Sequence, residues 1–147
     1  MYAELHCLSH FSFLRGASAP AELVSRAAEC RYHALAVTDE CSLAGVVKAH
    51  VAAKEHQLKL IIGSEFTLTE GIRLVALVPN REAYGELSGL ISRARRRCHK
   101  GEYTVHLRDI IFHLKRCFLI LLPDDTHNQT VYLQQLTRLC KGRVWIG

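Results

Sequence analysis

Proline is scarce in this sequence, with 3 residues in 147, and glycine numbers only 9. That excludes a collagenous chain and a Pro-rich linker. No stretch of eighteen apolar residues occurs, and the best run, residues 117–123, is far too short to span a bilayer. The N-terminus, Met1-Tyr2-Ala3-Glu4-Leu5-His6, lacks a basic region and a long apolar segment, so no signal peptide is expected. No CxxC pair occurs among the six cysteines, Cys7, Cys30, Cys41, Cys98, Cys117 and Cys140, which excludes a zinc ribbon and a thioredoxin-like motif. Their wide, irregular spacing predicts reduced thiols in a cytoplasmic protein. A Walker motif, a nucleophile elbow, a helix-turn-helix and an RRM signature are also missing.

What is present is an ordinary globular composition, 49% hydrophobic and 22% charged, which excludes a disordered chain. The length fits one domain or a piece of a larger one. Nine histidines favour metal chemistry only where they cluster with carboxylates, and His33, His56, His99, His106, His113 and His127 show no ligand spacing. The charge is uneven. Residues 1–75 carry 7 basic and 8 acidic side chains, whereas residues 76–147 carry 12 and 6. The excess concentrates in Arg93, Arg95, Arg96, Arg97 and Lys100. Such a patch can bind phosphates by counterion release. It can equally be a solvated helix end whose cations suit the macrodipole. No aromatics interleave with the arginines, so base stacking is not indicated.

Short apolar strands alternate with amphipathic helices. Residues 2–8 read as a strand and residues 9–16 as a loop. Ser18 can cap a helix with Pro20 in its first turn and Leu23, Val24, Ala27 and Ala28 on its buried face. Residues 33–38 form a second strand. Ser42 caps a second helix, with Leu43, Val46, Val47, His50 and Val51 at helical spacing. Residues 58–63 form a third strand. Residues 66–68 and 72–78 flank a Thr69-Glu70-Gly71 turn as a hairpin. Arg81–Arg96 is a third helix carrying Tyr84, Leu87, Leu90 and Ile91. A short helix over 107–114, a strand over 117–122, a helix over 130–141 and a strand beginning at Val144 complete the pattern. Helical crossovers make the first three strands parallel, as in a closed barrel or an open doubly wound sheet.

In such folds functional groups gather at the carboxyl ends of strands. The first strand ends near His6, the second in Thr38-Asp39-Glu40, the third in Gly63-Ser64-Glu65. One histidine and three carboxylates at one rim are the makings of a divalent-metal site. The alternative is that Asp39 and Glu40 cap the second helix and Glu65 bonds a rim arginine. Period-2 alternation puts His6 and residue 8 on one face. Residue 8 is Leu8, which coordinates nothing. Asp39 and Glu40, being neighbours, diverge.

Glu4-Leu5-His6-Cys7-Leu8-Ser9, followed by Phe11-Ser12-Phe13-Leu14-Arg15-Gly16-Ala17-Ser18, resembles the opening motif of the PHP (polymerase and histidinol phosphatase) domain. Ala36-Val37-Thr38-Asp39-Glu40-Cys41-Ser42-Leu43-Ala44-Gly45 resembles its second motif, and Leu60-Ile61-Ile62-Gly63-Ser64-Glu65-Phe66 its third. The branch most similar is the PHP domain at the N-terminus of bacterial error-prone DNA polymerases, relatives of the polymerase III alpha subunit. The resemblance implies an α/β fold, a distorted (β/α)7 barrel with a metal cluster at the strand carboxyl ends. It makes residues 1–147 the N-terminal part of one such domain, the barrel incomplete at its C-terminal end. Active PHP phosphoesterases carry His-x-His in the first motif, Thr-Asp-His in the second and a glutamate in the third. Residue by residue, His6 matches the first histidine, Asp39 the aspartate and Glu65 the glutamate. Leu8 replaces the second histidine and Glu40 the histidine of the second motif. Arg15 stands where metal-binding polymerase relatives often have an aspartate.

These departures imply a degenerate metal site at His6, Asp39, Glu40 and Glu65, since lost ligands cost much of the roughly 10–16 kcal/mol of a structural zinc site. The isolated chain is then expected to lack phosphoesterase and proofreading activity and to hold residual Zn²⁺ or Mn²⁺ at most. The resemblance further implies a cytoplasmic parent that uses Mg²⁺ at a palm outside this chain. Its partners would be DNA, its own other domains and the proteins of a translesion assembly, with no membrane. Two other readings are a stand-alone metal-dependent phosphoesterase of the histidinol-phosphatase kind and a small binding module built on the arginine patch.

Overall fold

The computed structural model describes residues 1–123 and 129–147. They form two compact units, Met1–Ser64 and Glu65–Gly147. His127 lies outside the described residues.

The first unit runs β1 (Ala3–Glu4), α1 (Pro20–Glu29), β2 (Ala34–Val37), α2 (Val46–Glu55) and into β3 (Lys59–Thr67). β1 pairs with β2, and β2 with β3, all parallel, with Ala3 opposite Ala34 and Val37 opposite Ile62. The helical crossovers demand this direction. β2 is buried along its whole length, as a continuous apolar run covered on both faces should be. The core joins Val24 and Ala27 of α1, Leu35 and Val37 of β2, and Ala49, Ala52 and Ala53 of α2.

Three local expectations shift. β1 is two residues long rather than seven. The Cys7 amide donates to Thr38 Oγ1 at 3.0 Å, and the His6 amide donates to Glu4 Oε1 at 3.0 Å. Past the strand these side-chain bonds join a backbone bond from the Thr38 amide to Cys7 O at 2.8 Å, and His6 and Leu8 lie beyond β1. α1 begins after Ala19, not Ser18, because Pro20 at the first helical position holds Ala19 extended, ψ 150°. The Glu22 carboxylate accepts the Ala19 amide at 2.7 Å.

In α2 the first helical residue is Val46, preceded by Gly45 rather than by a Ser42 cap. Its buried face is Val46, Ala49, Ala52 and Ala53. Val47 and Val51, which share the apolar helical spacing, are 72% and 52% exposed. The small alanines face α1 and β2, where only small side chains fit, so helix spacing rather than hydrophobicity sets the rotation.

The second unit contains the last residues of β3, then β4 (Arg73–Val78), α3 (Arg81–Arg96), α4 (Leu107–His113), β5 (Phe118–Leu122), α5 (Gln129–Leu139) and β6 (Val144–Ile146). Its strands neighbour in the order β3-β4-β5-β6. The expected hairpin turn is present. Gly71 has φ 79°, and the Leu68 amide donates to Ile72 O at 2.8 Å. β4 runs antiparallel to β5, Arg73 opposite Leu122, while β5 and β6 are parallel. β4 is reversed because a turn this short cannot carry a crossover.

α3 has the expected bounds. Asn80 Oδ1 accepts the Ala83 amide at 2.9 Å as its cap. Ala83, Leu87, Leu90 and Ala94 are its buried residues. Arg143 Nη1 donates to Leu114 O at 3.0 Å and Cys117 O at 2.6 Å, which fastens the start of β6 to the start of β5. All six cysteines are free thiols. Burial pushes the Cys117 thiol up to about 12.

Candidate functional site

The carboxyl end of β2 leads into Thr38, Asp39 and Glu40. Asp39 is buried, and its carboxylate is used three times as an acceptor. The Ser9 amide and Ser12 Oγ both donate to Oδ1 at 2.7 Å, and Ser9 Oγ donates to Oδ2 at 2.7 Å. Ser12 Oγ in turn accepts the Glu40 amide at 2.9 Å, and Ser64 Oγ donates to the Asp39 carbonyl at 2.7 Å. Ser9, Ser12 and Ser64 are themselves buried. Three hydroxyls and two backbone amides thus satisfy this rim internally. The Ser9 and Ser12 hydroxyls are thus used as donors to the Asp39 carboxylate.

Glu40 turns away from Asp39, as expected of neighbours. Its carboxylate accepts Arg15 Nη1 at 2.8 Å. The chain then reverses through Cys41 at φ 44°, a left-handed conformation uncommon for a side chain with a Cβ. His6 is half-buried just past β1, and Glu65 is buried in β3, in the second unit. Burial, followed by the negative charges of Glu4 and Asp39, pushes the Cys7 thiol up. That disfavours a thiolate nucleophile here.

As donors for a divalent cation these residues fit poorly. Leu8 has no donor atom, the Asp39 carboxylate is committed to hydrogen bonds, and the Glu40 carboxylate is neutralised by a guanidinium. Among the described residues no group of three or more His, Cys, Asp and Glu side chains is placed to hold a metal ion. The roles of Ser9 and Ser12 were not anticipated from the sequence. The available signal was the Ser-x-x-Ser spacing within a loop that must face a buried aspartate.

The basic cluster at the end of α3 is largely turned to internal use. Arg97 makes a two-pronged contact with Asp109, 2.5 Å to Oδ2 and 3.0 Å to Oδ1. Its guanidinium, helped by the His106 amide at 3.0 Å, holds the Asp109 carboxyl down at about 2. Arg95 Nη1 donates to Gly101 O at 3.2 Å, and its guanidinium lies 5.2 Å from the Tyr103 ring centre. Arg93 Nη1 meets the His113 ring, 2.6 Å from Nδ1. Arg96 and Lys100 are exposed. The arginines therefore tie α3 to α4 and to the loop between them. Tyr103 OH accepts the Thr67 amide at 2.9 Å, and Glu70 Oε1 accepts the Leu107 amide at 3.0 Å, so that loop is also knitted to the hairpin.

Among the described residues no helix is long and apolar enough to cross a membrane. Two solved structures share the fold at 16% identity, each matching 99% of this chain and 76% of its own. One, from Bifidobacterium adolescentis, is described as a metal-dependent phosphoesterase (TM-score 0.75), and the other is an amidohydrolase from Chromobacterium violaceum (TM-score 0.70). Part of the fold of each has no counterpart in these 147 residues.

Curated relatives are much more similar in sequence. The error-prone DNA polymerase of Saccharophagus degradans is 55% identical over 147 residues, and that of Dechloromonas aromatica is 63% identical over 151. Both match 99% of this chain, which spans only 14% and 15% of their lengths. The family model of the PHP domain matches residues 4–124. On the motifs, the strand order and this match together, the chain belongs to the PHP domain family.

Proposed function

We propose that the chain is the N-terminal PHP portion of an error-prone DNA polymerase and serves there as a structural part. The observation that carries the reading is the 55% and 63% identity along 99% of the chain to polymerases of that name. In this reading the parent transfers nucleotides from dNTPs to a primer, with DNA as substrate and Mg²⁺ held by carboxylates outside these residues. It works in the bacterial cytoplasm, in damage-induced translesion synthesis beside the other proteins of that assembly. The PHP rim then keeps its shape through the Asp39 hydrogen bonds and the Arg15–Glu40 pair, with residual Zn²⁺ or Mn²⁺ at most. A phosphoesterase role is disfavoured by Leu8 and by Glu40 in place of an imidazole.

The test uses the full-length protein that carries this chain. Primer extension with dNTPs and Mg²⁺ is expected. Elemental analysis after dialysis is expected to find substoichiometric Zn and Mn, and a generic phosphomonoester is expected to stay intact with added Mn²⁺. Stoichiometric Zn or Mn, together with phosphomonoester hydrolysis abolished by His6→Ala, would overturn the structural reading.

A further inference from the structure

The loop over residues 9–16 turns its polar atoms inward and its apolar tip outward. Inward lie the three hydrogen bonds to Asp39. The His10 amide donates to Ser18 O at 2.9 Å, and the Arg15 and Gly16 amides donate to Ser12 O at 3.0 and 2.9 Å. Gly16 presses so close to Ser9 that a Cβ there would stand 2.0 Å from the Ser9 carbonyl oxygen. Phe11, at the base of the loop, is half-buried with the Lys48 ammonium 5.6 Å from its ring centre. Outward lie Phe13 and Leu14, 84% and 89% exposed.

Leu14 also sits at φ 61°, a backbone region that L side chains with a Cβ seldom occupy. A slack loop would fold two large apolar side chains back against the domain. This loop cannot, because its hydrogen bonds fix it. An apolar, strained and preorganised tip has lost its ordering entropy before any partner arrives, which favours recognition. Arg15, next in sequence, is paired with Glu40 at 2.8 Å, so the tip itself offers apolar side chains and its complementary surface is an apolar pocket.

We infer that Phe13 and Leu14 dock into an apolar pocket on the remainder of the polymerase chain, outside residues 1–147. The inference rests on the proposed polymerase setting. The chain spans only 14% and 15% of its polymerase relatives, so in that setting most of the polymerase is a remainder tethered to the tip. Covalent continuity presents that remainder at high effective concentration.

A photo-crosslinking residue placed at position 13 of the full-length protein tests this. The expected product migrates as a monomer and joins position 13 to a peptide beyond residue 147. A crosslink within residues 1–147, a crosslinked dimer, a crosslink to a separate protein, or no crosslink overturns the inference. In the same protein, Leu14→Ser is expected to speed protease cleavage between this domain and the rest about tenfold, the change a lost hot-spot contact of about 1.4 kcal/mol brings. An unchanged rate counts against docking. Primer extension by the same preparation reports the polymerase reading separately, so either can fail alone.

Discussion

A buried carboxylate can be stabilised by a cation or by hydrogen-bond donors, and Asp39 takes the second course. Its three donors come from Ser9 and Ser12 alone, so the aspartate organises the loop next to it. Asp39→Ala leaves a buried amide and two hydroxyls without their acceptor. A loss of about 2–4 kcal/mol is expected in urea unfolding of the full-length protein's first transition, several lost or unsatisfied hydrogen bonds adding together. Glu40→Gln, at a half-exposed ion pair, is expected to cost no more than about 1 kcal/mol.

Asp109 is a contrasting carboxylate, held at about 2 against an ordinary value of 3.8, first by Arg97. A depressed folded value contributes stability above the unfolded value and loses it as the carboxylate protonates. The contribution is therefore full at neutral pH and fades between about pH 4 and pH 2. Arg97→Gln is expected to cost about 1–2 kcal/mol at pH 7, since one pKa unit corresponds to about 1.36 kcal/mol and Arg97 is partly exposed. The gap from wild type should narrow as denaturation is repeated toward pH 3.

At the scale of elements, glycines separate backbone necessity from helix propensity. Gly16 has no room for a Cβ, the Ser9 carbonyl oxygen standing 2.0 Å from where it would lie. Gly89, in the middle of α3, has nothing within 4 Å of that position. Gly16→Ala is expected to destabilise by more than about 2 kcal/mol through forced backbone displacement. Gly89→Ala is expected to stabilise by about 0.5–1 kcal/mol through helix propensity. Thermal melts of the two variants should move in opposite directions.

The elements themselves were largely readable. α3 carries its cap, Asn80, and its apolar period in the sequence. The hairpin is marked by Thr69-Glu70-Gly71, and the parallel strands follow from the helices between them. The buried face of α2 is not legible in its helical spacing, because Val47 and Val51 outweigh the alanines in hydrophobicity. Yet the alanines are the residues small enough to lie against α1. β1 is shorter than alternation predicts, and beyond it the Glu4 and Thr38 side chains accept the His6 and Cys7 amides.

At the scale of the whole molecule, the net charge of +5 comes from the second half of the chain, where the arginine cluster lies. Three of the five clustered cations are used for internal contacts. Replacing the exposed Arg96 and Lys100 with alanine in the polymerase is expected to flatten the salt dependence of DNA affinity by no more than about two charges' worth, a slope change of about 1.8. Filter binding across a salt series checks this, and a larger change would return the patch to a primary DNA contact.

The sequence by itself determined the order of strands and helices, the PHP motifs and the places where His6, Leu8, Asp39, Glu40 and Glu65 would stand. Those follow from local periodicity, turn chemistry and motif spacing, which act over a few residues. Only the tertiary structure decided that Ser9 and Ser12 satisfy Asp39, that Arg15 pairs with Glu40, and that Arg97 serves Asp109. Each of these joins residues 12 to 30 positions apart. A hydrogen bond needs its partners within about 3 Å, and chain folding, not sequence spacing, brings them there.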